Sequence, residues 1–235
     1  MSNKPLPDWE LVLSAAARLQ QILPNAVLVG GTASAIYAAH RFSADADHVL
    51  TDLRTRFDQV LSDLETVAGW RTARVQRPVQ ILGSLDGIET GIRQLIRDEP
   101  LETAVLDYRG VQLTLPTQAE MLRIKAVLAL RRNATRDYLD FVALASQMTD
   151  EAISTALTRF DELYPQPNGE SALQQLQIQL ANPMPYDLEG VALGEYKNLA
   201  PRWNDWQVIK RTCAGLAILI FEQSCGASGA AKGEP

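Results

Sequence analysis

The chain has 235 residues, 46% hydrophobic and 21% charged, with 22 Lys and Arg against 28 Asp and Glu. That is enough apolar material for one large domain or two small ones, and a net charge of −6 excludes a protein that coats nucleic acid through a uniformly basic surface. The first ten residues lack the basic and apolar regions of a secretory leader, and no apolar run approaches a membrane span. Cys213 and Cys225 give neither a metal nor a disulfide framework, so a cytoplasmic protein with no membrane partner is expected.

Residues 8–23 place Leu11, Leu13, Ala16, Leu19 and Ile22 at helical spacing and stop at Pro24-Asn25, which predicts an opening helix. Residues 26–29 form a short apolar strand that ends in Gly30-Gly31, and the Ala-rich stretch 32–39 starts a helix directly behind the glycines. Residues 46–50 read as the next strand and 54–67 as a surface helix. Residues 71–82 and 87–96 read as two strands around a turn at 83–87, and 105–115 as one more. At Thr117 the pattern turns helical. Thr117 and Glu120 have capping-box spacing ahead of a helix to Arg132, Thr135 caps a second to Met148, 152–163 is a third, and 206–223 closes the fold. Stretches 165–170 and 182–196, rich in Pro, Gly and Asn, are loops. The expected architecture is α/β, of the α+β kind: a mixed-sheet lobe over 1–116, a helical lobe over 117–225 and a disordered tail over 226–235.

The chemistry concentrates in residues 27–50, where an apolar strand delivers Gly30-Gly31-Thr32 to a helix start and Asp45 and Asp47 follow on a second strand. Glycines let backbone N–H groups approach a phosphate, a helix amino terminus adds donors and a positive dipole end, and the Thr32 hydroxyl can serve the same anion. Residues two apart on a strand share a face, so Asp45 and Asp47 present neighbouring carboxylates, an arrangement that calls for a cation such as Mg²⁺, with Mn²⁺ as the alternative. His48 points away from Asp47, and His40 ends a helix, so neither completes a metal cluster.

Strand, glycines, helix and Asp-x-Asp, with Arg41 between, resemble the signature of the DNA polymerase beta-like nucleotidyltransferase superfamily. Residues 40–47, HRFSADAD, and 120–145, EMLRIKAVLALRRNATRDYLDFVALA, further resemble the AbiEii/AbiGii toxin nucleotidyltransferases of type IV toxin–antitoxin systems. Together these resemblances cover roughly residues 27–145. They imply a nucleotidyltransferase-like mixed sheet and metals on Asp45 and Asp47. They also imply an NTP held by Gly30, Gly31 and Thr32, and a bacterial toxin acting on tRNA or another translation component, with a cognate antitoxin as partner.

Lys125, Ala129 and Arg132 fall at i, i+4 and i+7, so two cations flank a small residue and can cradle a triphosphate beside Arg41. The bunch Arg123, Lys125, Arg131, Arg132 and Arg136 reads as a solvated face or a local basic site. In the superfamily a third carboxylate on a later strand takes the proton from the attacking hydroxyl. Glu89 is the candidate here, with Gly91 and Arg93 on its face, and Asp137 is the alternative base. Asp140 reads as a helix-dipole residue. Trp203 and Trp206 read as core anchors or a partner surface, with RNA-base stacking as the other option. Two other functions compete with the toxin: transfer of a nucleotide to a small cationic antibiotic, and a binding module that keeps the fold without the chemistry.

Overall fold

In the computed structural model, which describes residues 8–108 and 110–230, the Asp8 carboxylate caps the first helix by accepting from Glu10 N–H. Helix α1 (Trp9–Ile22) leads to strand β1 (Val27–Leu28), and α2 (Gly30–Ala38) starts at a glycine with φ +76°. Strand β2 (Ala46–Leu50) and helix α3 (Leu53–Glu65) follow. Three strands come next: β3 (Trp70–Gln76), β4 (Gln80–Leu85) and β5 (Ile88–Gln94). A separate hairpin is made by β6 (Thr103–Tyr108) and β7 (Val111–Pro116).

The main sheet has the order β1-β2-β5-β4-β3, with β2 parallel to β5 and every other pair antiparallel. Its inner face carries Leu50, Ile81, Leu85, Ile92 and Trp70, which pack with Leu19 and Leu23 from the α1 end and Phe57, Val60 and Leu64 of α3. His48 faces this interior. Burial pushes its imidazole down to about 4, and its Nδ1 lies 2.9 Å from the Ala46 carbonyl.

The strand expected over 71–82 is two strands, because the chain turns at 76–79, where Val79 N–H closes onto the Gln76 carbonyl and Pro78 has no N–H to offer a ladder. The turn expected at 83–87 shrinks to Asp86-Gly87. Both have positive φ, 53° and 84°, as the tightest hairpin turn requires, so β4 runs on through Gly83 to Leu85. The single strand expected over 105–115 is likewise a hairpin that reverses at Gly110.

The helices that follow are α4 (Gln118–Arg132), α5 (Thr135–Ala145), α6 (Asp150–Leu157), α7 (Phe160–Leu163), α8 (Ala172–Ala181) and α9 (Trp206–Ala230). Thr135 is the first residue of α5 rather than its cap. Its N–H and hydroxyl both donate to Asp187 Oδ1, at 2.7 and 2.8 Å, so the cap arrives from a distant loop. The third helix expected over 152–163 breaks into α6 and α7. The α9 helix continues to Ala230 through Gly226 and Gly229, since extending a formed helix costs only about 1 kcal/mol per glycine; the end of the expected disordered tail, 231–235, lies outside the described residues. No described helix is long and apolar enough to cross a membrane.

The chain divides into two compact units. One comprises Phe42–Thr117 and the chain up to Ile36; the other comprises Tyr37–Arg41 and the chain from Gln118 onward.

Candidate active site

In the first unit, β2 alternates between buried and accessible positions, which leaves Ala46, His48 and Leu50 inside and Asp47 on the outer face with exposed Asp45. Two glycines flank Asp47. A Cβ added at Gly30 would stand 3.3 Å from Asp47 Cβ, and one added at Gly91, directly across the ladder, would stand 2.5 Å from Asp47 Oδ1. These two positions hold the space around the Asp47 carboxylate open. Val29 N–H donates to the Asp47 carbonyl at 2.8 Å, which ties the glycine turn to the aspartate strand.

Thr32 is fully buried, and its hydroxyl donates to the Asp45 carbonyl, so in this structure it braces the chain that presents Asp45. Gly31 is half-buried at the α2 amino terminus. Glu89 is exposed and lies two residues before Gly91, so the parallel register puts it on the Asp45/Asp47 face. The side chain from β5 that reaches Asp47 is Arg93, whose Nη2 stands 3.9 Å from Asp47 Oδ1. Among the described residues no group of three or more His, Cys, Asp or Glu side chains could hold a metal ion.

The second unit contains an ionic centre that the sequence reading did not assemble. Asp140 is fully buried and faces Lys125 Nζ at 2.7 Å, Arg41 Nε and Nη2 at 2.8 and 3.0 Å, and His40 Nε2 at 2.7 Å. Burial pushes its carboxyl up, but the charges of Lys125 and Arg41 and the bonds from His40 and Arg41 outweigh that and hold it well below the usual carboxylate range. The expected helix-dipole role is therefore corrected: Asp140 lies in the interior of α5 and serves as the counter-ion of two buried cations.

Asp137, one turn earlier on α5, is also buried. Burial pushes its carboxyl up to about 6 and Asp140 adds repulsion, against Lys125, Arg136 and Arg41, which pull it down. Arg132 Nε is 3.3 Å from Asp137 Oδ2, but out of line for a hydrogen bond. Lys125 is buried rather than displayed on a helix face, and Arg123 is buried with it, donating to Glu120 and to the Ala156 carbonyl. The basic bunch is therefore split: Arg123 and Lys125 are internal, whereas Arg131, Arg132 and Arg136 are exposed. Trp203 is buried, and Trp206 packs edge-on against Tyr138 at 6.1 Å. No local signal locates this centre, since His40 and Arg41 follow α2 and Asp140 stands one hundred positions beyond His40.

The mixed sheet with flanking helices, followed by a helical lobe, is a nucleotidyltransferase-like fold. No family model matches the chain. Two Helicobacter pylori structures share the fold. JHP933 has 18% identity and a TM-score of 0.54, covering 94% of this chain and 96% of its own. A protein provisionally described as a nucleotidyltransferase has 16% identity and a TM-score of 0.56, covering 95% and 97%. In sequence, the heme uptake protein MmpL11 of Mycobacterium tuberculosis is 28% identical over 243 residues, covering 94% of this chain and 23% of that protein. The chain thus spans less than a quarter of that relative's length.

Proposed function

We propose that the protein is a Mg²⁺-dependent nucleotidyltransferase that moves a nucleoside monophosphate from an NTP to an acceptor hydroxyl. The observation that supports this reading is Asp47 on the outer face of β2 between Gly30 and Gly91, where an added Cβ would crowd its side chain, with exposed Asp45 just ahead of the strand. Two aspartates separated by one residue suit a hard divalent cation, since Mg²⁺ takes one or two carboxylates and completes its shell with water and substrate phosphate; Mn²⁺ fits the same oxygens. Such a cation, held by Asp45 and Asp47, would supply charge stabilisation to the attacking and leaving oxygens.

The amino terminus of α2 at Gly30 and Gly31 offers N–H groups to the triphosphate. The acceptor oxygen bonds to the α-phosphorus, the bond from that phosphorus to the bridging oxygen breaks, and pyrophosphate leaves. The proton passes to a carboxylate, for which the register favours Glu89. Arg41, Lys125 and Arg132 belong to the second unit, where Asp140 takes up Lys125 and Arg41.

The finer reading is a cytoplasmic bacterial toxin whose acceptor is tRNA or another translation component, neutralised by an antitoxin. On this reading overexpression arrests growth and Asp47→Asn relieves the arrest. A second reading is a nucleotide-binding module without transfer, favoured by the Arg93 guanidinium near Asp47, where a cation would otherwise be needed. The test is incubation of the full chain with each labelled NTP, Mg²⁺ and total bacterial RNA, with Asp47→Asn as control. Label in RNA supports the acceptor reading, and label in a small molecule supports the antibiotic-type enzyme. NTP binding without transfer leaves only the module.

A further inference from the structure

We infer that the outer face of the main sheet is a docking track for a single-stranded nucleic acid, with Arg71 and Arg74 of the edge strand holding its phosphates. The inference rests on the nucleotidyltransferase reading for its direction and names the acceptor class.

The ladder fixes which residues share that face. Asp47 pairs with Gly91, Gly91 with Leu82, and Leu82 with Arg74, so one row runs straight across β2, β5, β4 and β3. A second row runs from Glu89 through Ser84 to Arg71, and a third joins Arg93, Gln80 and Gln76. A Cβ at Gly91 would meet both Asp47 Oδ1 and Leu82 Cδ2, which confirms that these side chains lie on one side. Ile81, Leu85 and Ile92 take the other side, in the core.

The face is segregated by charge. Its acids, Asp47 and Glu89, sit on β2 and β5, with exposed Asp45 just ahead of β2, and its distal edge carries Arg71 and Arg74, both exposed. Neither arginine has a hydrogen bond or ion-pair partner among the described residues, whereas Arg56 and Arg77 of the same unit pair with Asp52 and Asp58. Between the two ends lie Gln80, Ser84 and half-buried Leu82 of β4, while Arg93 shares β5 with Glu89 and Gln76 shares β3 with the arginines; the face carries no aromatic ring.

Strands lie about 4.8 Å apart, so Arg74 is three steps, roughly 14 Å, from Asp47. A ligand that touches both ends must be extended and must carry negative charge away from its reacting hydroxyl. A polynucleotide meets both conditions, while a small cationic drug would be repelled by the arginines. The absence of a stacking ring means that the track reads backbone phosphate rather than bases.

The experiment is fluorescence anisotropy of a short labelled single-stranded RNA with the full chain, without NTP, over a range of salt. The expected result is at least a tenfold loss of affinity in Arg71→Glu/Arg74→Glu. The salt slope should also fall by about 1.4, as two lost phosphate contacts at about 0.7 each would give. Arg202→Glu/Arg211→Glu makes the same change in net charge on the second unit and should bind RNA nearly as wild type. Equal losses in both variants, or a wild type that does not bind RNA, would overturn the inference. Calorimetry with a non-hydrolysable NTP and Mg²⁺ separates the two readings. RNA binding that depends on Arg71 and Arg74 without nucleotide binding sinks the enzyme and keeps the track; transfer to a small molecule without RNA binding does the opposite.

Discussion

Asp140→Asn should destabilise the second unit by about 3–5 kcal/mol, the cost of breaking a buried ion pair from one side. The carboxylate is 1% exposed and its four contacts at 2.7–3.0 Å all come from groups able to donate. Asn keeps the volume but loses the charge, and its amide nitrogen adds a donor to a shell of donors. Lys125, at 5% exposure, and Arg41, at 12%, would lose the carboxylate they share. At an effective dielectric near 20 each cation–carboxylate attraction is worth roughly 4 kcal/mol, and the relief of desolvating one carboxylate returns part of the sum. Urea unfolding gives the total, and amide hydrogen exchange in α4 and α5 locates it, which matters because two units need not unfold together. Lys125→Met should cost less, because Asp140 keeps Arg41 and His40, and the double variant should recover at least about 1 kcal/mol of coupling. The folded carboxyl is depressed, so its contribution is present at neutral pH and lost as pH falls below about 4 toward the folded value. A loss under about 1 kcal/mol, or one centred on the strands of the first unit, would refute the counter-ion role.

Gly91→Ala should lower nucleotide transfer at least about tenfold, since the new methyl would stand 2.5 Å from Asp47 Oδ1 and 2.9 Å from Leu82 Cδ2, at a stability cost of about 1–3 kcal/mol. Kinetics paired with thermal melting checks it, and an unchanged rate would remove Asp47 from the chemistry. Asp137 has a folded value of about 6 against 3.8 unfolded, so the native state holds its proton more tightly and wild-type stability should fall by up to about 3 kcal/mol between about pH 4 and pH 6. Asp137→Asn should lack that fall, as urea midpoints on either side of the window would show; equal pH profiles would mean the carboxyl is solvated.

What could be read from the sequence was local. Gly30, Asp45 and Asp47 lie within eighteen residues of one strand-helix-strand unit, so periodicity and turn chemistry were enough to bring Gly30 beside Asp47. Asp86-Gly87 was visible for the same reason, although its turn proved tighter than expected. The ionic centre was not visible, because His40 and Asp140 stand one hundred positions apart and only tertiary packing decides that Lys125 points inward. Helical spacing made Lys125 and Arg132 look equivalent, yet one is buried against Asp140 and the other is partly exposed beside Asp137. Arg71 and Arg74 drew no notice, since a two-strand reading of 71–96 hid the edge strand and its bulge, and with them the face that each arginine occupies.

The placement of Tyr37–Arg41 with the second unit bears on how this gene can be cut and recombined. A fragment beginning at Gln118 would inherit Lys125 and Asp140 without His40 and Arg41, and so would carry the carboxylate with only one of the three side chains that contact it. A crossover between two relatives near Thr117 would set one parent's Asp140 against the other parent's His40 and Arg41. Chimeras of that kind must match Lys125 and Asp140 with those two amino-terminal positions, which makes a five-residue segment far upstream part of the inheritance of the carboxy-terminal half.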